Sequence, residues 1–93
     1  MVKISWTPLA QNDLQEIEEY IARDSHSYAI ITVEKIFFRT SILAKYPKIG
    51  RIVPEFENEN IRELIEGNYR IVYFILNSNE VIISRVHHAA RLL

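Results

Sequence analysis

The sequence predicts an α+β fold in the order β-α-α-β-β-β, with a helical hairpin packed on one side of a small, mainly antiparallel sheet. Three observations predict it. The run Tyr69-Arg70-Ile71-Val72-Tyr73-Phe74-Ile75-Leu76 is β-branched or aromatic at almost every position, as in a strand covered on both faces. Apolar residues recur at helical spacing in two earlier stretches, Ala10 to Ile21 and Ala29 to Leu43. With 93 residues, two glycines and three prolines, the chain makes one domain over residues 1–93, with a single core and no low-complexity stretch.

Val2-Lys3-Ile4-Ser5-Trp6 alternates apolar and polar residues and reads as a half-buried strand. Thr7 followed by Pro8 is an N-cap with proline at the first helical position. Ala10, Leu14, Ile17 and Ile21 then form the apolar stripe of a helix ending near Arg23, with Asp13, Glu16, Glu18 and Glu19 mostly on its other side. Asp24-Ser25-His26-Ser27 breaks the chain and caps a second helix from about Tyr28 to Tyr46, with apolar positions at Ala29, Val33, Ile36, Phe37, Ile42 and Leu43. Pro47 stops that helix and Gly50 permits a tight turn, so Tyr46 to Val53 is expected as a surface connection.

Ile61 to Ile65 begins the sheet, and Glu66-Gly67-Asn68 turns it into the long strand. Asn77-Ser78-Asn79-Glu80 is a four-residue loop leading to Val81 to Val86, so a hairpin pairs Leu76 with Val81. Counting outward sets Phe74 opposite Ile83, Val72 opposite Arg85 and Arg70 opposite His87, on one face. A one-residue slip would bring His88 to that face in place of His87 and turn Arg85 away.

The net charge of −1 and pI near 6.3 argue against a surface that is wholly a nucleic-acid footprint. Charge is nonetheless segregated. Lys35, Arg39, Lys45, Lys48 and Arg51 follow one another with no acid between them, and Glu55, Glu57, Glu59, Glu63 and Glu66 crowd the next segment around Arg62. Cysteine is absent, which excludes disulfides and thiolate metal sites. No signal peptide or bilayer-length apolar run is present, and a cytoplasmic location without membrane contact is the expectation. Neither a Gly-rich phosphate loop, a zinc-spaced set nor a nucleophile elbow occurs, and no cofactor is implied. Adjacent His87 and His88 on a strand point to opposite faces and cannot share one metal.

Arg70 is the informative exception in its apolar strand, because an unpartnered buried guanidinium is costly. Two readings stand: a salt bridge to Glu63 or Glu66, or a contact to a phosphate or acidic partner, with Arg85 and a histidine on the same face. If the site does chemistry, arginine and histidine without a metal suit phosphodiester cleavage, where the RNA 2′-hydroxyl is the nucleophile and histidine moves the proton. Glu55 is a candidate base in that scheme, or one of five solvated glutamates.

At these residues the chain resembles the RelE/ParE superfamily of toxins from bacterial type II toxin-antitoxin pairs. The pieces are Trp6-Thr7-Pro8 leading into Asp13-Leu14 and Ile17, Asp24-Ser25, Pro47-Lys48-Ile49-Gly50-Arg51, Ile61-Arg62-Glu63, Tyr69-Arg70-Ile71-Val72-Tyr73 and Arg85-Val86-His87-His88. The resemblance spans nearly the whole length and rests on order and spacing. It implies a toxin domain, a cognate antitoxin that wraps it, and growth inhibition. Two branches differ in target. RelE-like members cut messenger RNA on the ribosome, and in the YoeB-like subset an arginine and a C-terminal His-Tyr act together; Arg70 and His87 match, and His88 stands where the tyrosine would be. ParE-like members inhibit DNA gyrase and need no catalytic set. The candidate catalytic residues are thus Arg70, His87 and His88, with Glu55 and Arg85. The candidate target-binding residues are Arg51, Arg62, Arg70, Arg85 and Arg91.

Overall fold

The computed structural model describes residues 1–89. Strand β1 (Lys3–Trp6) leads into helices α1 (Pro8–Ala22) and α2 (His26–Thr40). A two-residue β2 (Arg51–Ile52) and the long strands β3 (Ile61–Glu66), β4 (Tyr69–Asn77) and β5 (Glu80–His88) follow. The sheet order is β1-β5-β4-β3-β2. β1 runs parallel to β5 and the other neighbours are antiparallel.

Local chemistry sets the helix starts. Thr7 Oγ1 accepts the Ala10 N–H at 3.0 Å and Ser25 Oγ accepts the Tyr28 N–H at 3.1 Å, so each hydroxyl satisfies a donor that the first turn leaves unbonded. The second helix begins two residues earlier than expected and ends sooner. Its α-helical part stops at Thr40, and a 3₁₀ turn, Ser41–Ala44, completes it. Hydroxyls explain the change: Thr40 donates to the Phe37 carbonyl at 2.7 Å and Ser41 to that of Phe38 at 2.7 Å, offering these carbonyls partners other than the α-helical N–H.

The core lies between the helices and one sheet face, where Ile36, Leu43, Ile71, Tyr73 and Ile83 are fully buried. Each buried aliphatic side chain there contributes about 1.5–3 kcal/mol by removal from water. Phe37, expected in this stripe, instead stays 60% exposed and stacks on Trp6 with ring centroids 5.8 Å apart.

The connection expected on the surface goes deeper. Gly50 and Val53 are buried and Arg51–Ile52 pairs with β3 as an edge strand. Gly50 is needed for room: a Cβ there would lie 2.6 Å from the Glu63 carbonyl oxygen and 2.7 Å from the Tyr73 hydroxyl. That hydroxyl accepts the Gly50 N–H at 3.0 Å and donates to the Pro47 carbonyl at 2.6 Å, fastening the connection to β4. Burial raises the Tyr73 phenol above its usual pKa, against the lowering effects of the Gly50 N–H and Arg62.

Gly67 takes a left-handed φ of 56° at the first of two loop positions between β3 and β4, the pattern of a type II′ hairpin. The β4–β5 hairpin is tighter than its sequence suggested. Asn77 pairs with Glu80 around a two-residue turn, Ser78-Asn79, and Ile75 rather than Leu76 pairs with Val81. Phe74 faces Ile82 rather than Ile83. Two irregularities, near Leu76 and at Ser84, shift the register by one residue and then restore it, so Val72 meets Arg85 and Arg70 meets His87 as counted from the sequence. The Ser84 bulge has a clear consequence. It lets Val81 and Ile83 enter the core while Arg85 and His87 fall on the opposite face, which unbroken alternation forbids.

Candidate functional site

The sheet face away from the helices gathers most of the sequence-predicted residues. Arg70 projects from β4 opposite His87 of β5, and its neighbour in register on the other side is Ile65 of β3. Arg70 is 6% exposed. Its Nε donates to Glu63 Oε1 at 2.5 Å, and its Nη1 and Nη2 donate to the two oxygens of Glu55 at 3.0 and 3.1 Å. These hydrogen bonds, those to Glu55 foremost and then those to Glu63, hold the guanidinium above its ordinary pKa against the opposing effect of burial. Glu66, the alternative partner read from the sequence, is not the one used.

Glu63 is also the partner of Arg51 on β2. One fully buried carboxylate therefore lies between two arginines, and Arg51 keeps the solvent-exposed end with 62% of its side chain accessible. Alongside, Phe56, Ile61, Val72, Phe74, Ser84, Arg85 and His87 line an open depression of about 510 Å³. His87 is buried on this face.

Arg85, in the lining of the same depression, reaches α1 with its guanidinium. Its Nε and Nη2 donate to Asp13 Oδ2 and Oδ1 at 2.9 and 3.2 Å. Asp13 also accepts the Val86 backbone N–H at 2.9 Å, filling the place a neighbouring strand would take beyond the end of β1. Its carboxyl is thus buried, not solvent-facing as its acidic neighbours suggested. Burial pushes its pKa up, but the Arg85 hydrogen bond, the Val86 N–H and the charges of Arg85 and His87 more than offset this and hold it below the ordinary carboxylate value. A sequence signal existed: Asp13 sits three residues after Ala10 and four before Ile17, on the apolar stripe.

Arg62 and His88 do not join the site. Arg62 donates to the backbone carbonyls of Glu59, Lys48 and Gly50 at 2.9, 3.1 and 3.0 Å, so it clamps the connection around β2. His88 points to the helix side, edge-on to Tyr69 at 5.8 Å, in a second depression shared with Asp13, Glu16, Ile17 and Tyr20. Arg91 lies outside the described residues. No group of three or more metal-ligating side chains occurs among the described residues. Nor is any helix among them long and apolar enough to cross a membrane.

The geometry describes a paired, largely neutralised arginine cluster beside an apolar hollow, on a fold of two helices over a five-stranded sheet. The family model described as the ParE toxin of the type II toxin-antitoxin system, parDE, matches residues 4–93. The chain belongs to the ParE toxin family. ParE toxins fall within the RelE/ParE superfamily that the sequence resembles. Among solved structures, a chain of the chromosomal ParDE system from P. aeruginosa is similar with a TM-score of 0.77 and 23% identity, over 95% of this chain and 96% of that one. A chain of the RelBE2 toxin-antitoxin complex from Mycobacterium tuberculosis has a TM-score of 0.61 and 24% identity, over 94% and 96% of the two chains. A conserved hypothetical protein from Helicobacter pylori gives 0.60 and 15% over the full length of both. These likenesses show the fold. No curated protein matches the chain significantly.

Proposed function

We propose that this ParE-family chain inhibits growth by binding a protein target of the DNA gyrase kind, and that a cognate antitoxin neutralises it. The observation that carries this reading is the pairing of both arginines that flank His87 in the register. Arg70 is committed to Glu55 and Glu63, and Arg85 to Asp13. A phosphate would have to displace a carboxylate that each guanidinium already meets, with no apolar contact to offset that cost, whereas a protein partner can supply both. A net charge of −1 agrees with a protein partner.

The antitoxin part rests on the family and on surface chemistry. Ile30, Ile31, Phe37 and Phe38 of α2 are all exposed, with Phe38 at 77%. Ile31, Phe37 and Phe38 line a depression of about 760 Å³ together with Lys35 and Arg39. An acidic, amphipathic segment in the groove between helices and sheet covers such a surface.

One observation favours a second reading, ribosome-dependent cleavage of messenger RNA. Glu55, Arg70 and His87 meet on one face, a base, a phosphate ligand and a proton carrier in kind. Induction of the protein in cells separates the two. Stalled gyrase-DNA cleavage complexes and an SOS response while translation continues are expected; immediate translational arrest with messenger cuts at the ribosomal A site rejects the gyrase reading. For the antitoxin, the product of the adjoining gene in excess should raise the melting temperature, and no rise rejects that pairing.

A further inference from the structure

Arg51, Glu63, Arg70 and Glu55 form one chain of ion pairs across β2, β3, β4 and the loop after β2. Glu63 serves both arginines from a fully buried position on β3. The three strand residues carry two positive charges and one negative, and Glu55 adds a second negative charge to the chain of pairs. Glu55 is held differently. Its side chain is 25% exposed where that of Glu63 is 0%, and it lies in an irregular segment that includes Glu57 at a left-handed φ of 49°. Its two oxygens meet Nη1 and Nη2 of Arg70 in the parallel fork by which a guanidinium takes any carboxylate. Phe56, the next residue, lies over the depression whose other apolar walls are Ile61, Val72 and Phe74.

We infer that Glu55 fills the carboxylate site of a docking surface on this sheet face, and that the partner is a protein segment presenting an Asp or Glu beside an aromatic or large aliphatic side chain. The partner's carboxylate takes the place of Glu55 on Arg70, and its apolar neighbour enters the hollow over Val72 and Phe74. This rests on the protein-target reading and gives the chemistry of that target. The fork on Arg70 suits a single negative charge of flat, two-oxygen geometry, and the depression beside it is walled by Phe56, Ile61, Val72 and Phe74, while Arg85 in the same lining is already paired to Asp13. A polyphosphate backbone has no use for that combination. An internal ligand also lowers the apparent affinity by the fraction of time it holds Arg70, so a lone carboxylate binds weakly and one with an apolar neighbour succeeds.

The test titrates acetyl-Phe-Glu-Phe-amide, its Gln counterpart and inorganic phosphate into wild-type, Glu55→Gln and Arg70→Lys proteins, following the Ile61 and Val72 methyl resonances and the Arg70 Nε–H. The Glu peptide is expected to bind wild type at least about tenfold better than the Gln peptide, a gap comparable to one charge-assisted fork. Its affinity rises about tenfold or more in Glu55→Gln, where the competitor is gone. Arg70→Lys loses the preference, since an ammonium forms no fork. Phosphate binding better than the Glu peptide, or no gain in folded Glu55→Gln, overturns the inference. Should Glu55→Gln fail to fold, the wild-type comparison decides: equal or absent binding of the two peptides overturns it. Gyrase inhibition is measured in parallel. Peptide discrimination without gyrase inhibition defeats the target reading and leaves the carboxylate site standing, whereas inhibition without discrimination defeats the site alone.

Discussion

Asp13 on α1 and Val86 on β5, 73 positions apart, are joined by a 2.9 Å hydrogen bond from the Val86 backbone N–H to Oδ2. β1 pairs with β5 only as far as Ile83, and beyond it this carboxylate acts as the missing strand. Asp13→Ala strands a buried N–H and removes the partner of Arg85. A loss of about 1–3 kcal/mol is expected, mostly from the N–H, because Arg85 is partly exposed and its pairing is screened. Urea unfolding of the variant checks it; a midpoint equal to wild type refutes the bridging role.

The same carboxyl gives a pH dependence. Its pKa is lowered in the folded state from an ordinary 3.8, so the folded protein binds the proton less well than the unfolded chain does. The stabilisation is therefore complete above about pH 4–5 and disappears as pH falls through the depressed folded value. Melting curves of wild type and Asp13→Asn should differ most at neutral pH and converge in acid. A gap that widens on acidification contradicts the assignment.

Gly50→Ala places a methyl against the Glu63 carbonyl oxygen at 2.6 Å, a backbone atom held in the sheet, and against the Tyr73 hydroxyl at 2.7 Å. The expected cost is about 1–3 kcal/mol. For a chain of this size it lowers the melting temperature by roughly 4–8 °C per kcal/mol. Tyr73→Phe should not rescue it, since the carbonyl contact remains and the Gly50 N–H loses its acceptor. Full recovery in the double variant would show the hydroxyl alone to be the obstacle.

Arg70→Ala leaves Glu63 fully buried with Arg51 as its remaining ion-pair partner among those described above, and takes both contacts from Glu55. Breaking a buried pair of this kind costs about 3–5 kcal/mol. Thermal unfolding should show that loss, and a melting temperature near wild type would mean that the arginine contributes little to the fold. Loss of toxicity in Arg70→Ala then has to be judged against Arg70→Lys, which keeps the charge.

His87 and His88 test the mechanism. Under the gyrase reading no proton transfer is at stake, so His87→Gln and His88→Gln should change gyrase inhibition only as far as they change binding or folding. Under messenger cleavage the relevant substitution removes about 100- to 10,000-fold in rate. A drop of that size in a folded protein with target binding intact would identify a proton-transfer step.

Sequence alone determined the succession of one strand, two helices and three long strands, the cap at Thr7 and the break at Asp24 to Ser27 before the second helix. Its count reached the Arg70–His87 and Val72–Arg85 pairings because the two register shifts between them and the turn cancel. Each is written in local spacing: hydroxyl before helix, apolar period, turn residues between β-branched runs. Tertiary structure decided what depends on segments meeting from afar. The Ser84 bulge reconciles a buried Ile83 with Arg85 and His87 on the other face, a conflict visible in the alternation but resolvable only once the core has a position. Asp13 finds its N–H because β1 ends early, and Gly50 is fixed by a carbonyl and a phenol brought from β3 and β4. The sharing of Glu63 between Arg51 and Arg70, with Glu55 closing the cluster, follows likewise from strands that pair across loops. Ion pairing acts over a few ångströms of space whatever the separation in sequence, so composition disclosed the charges and only the fold selected their partners.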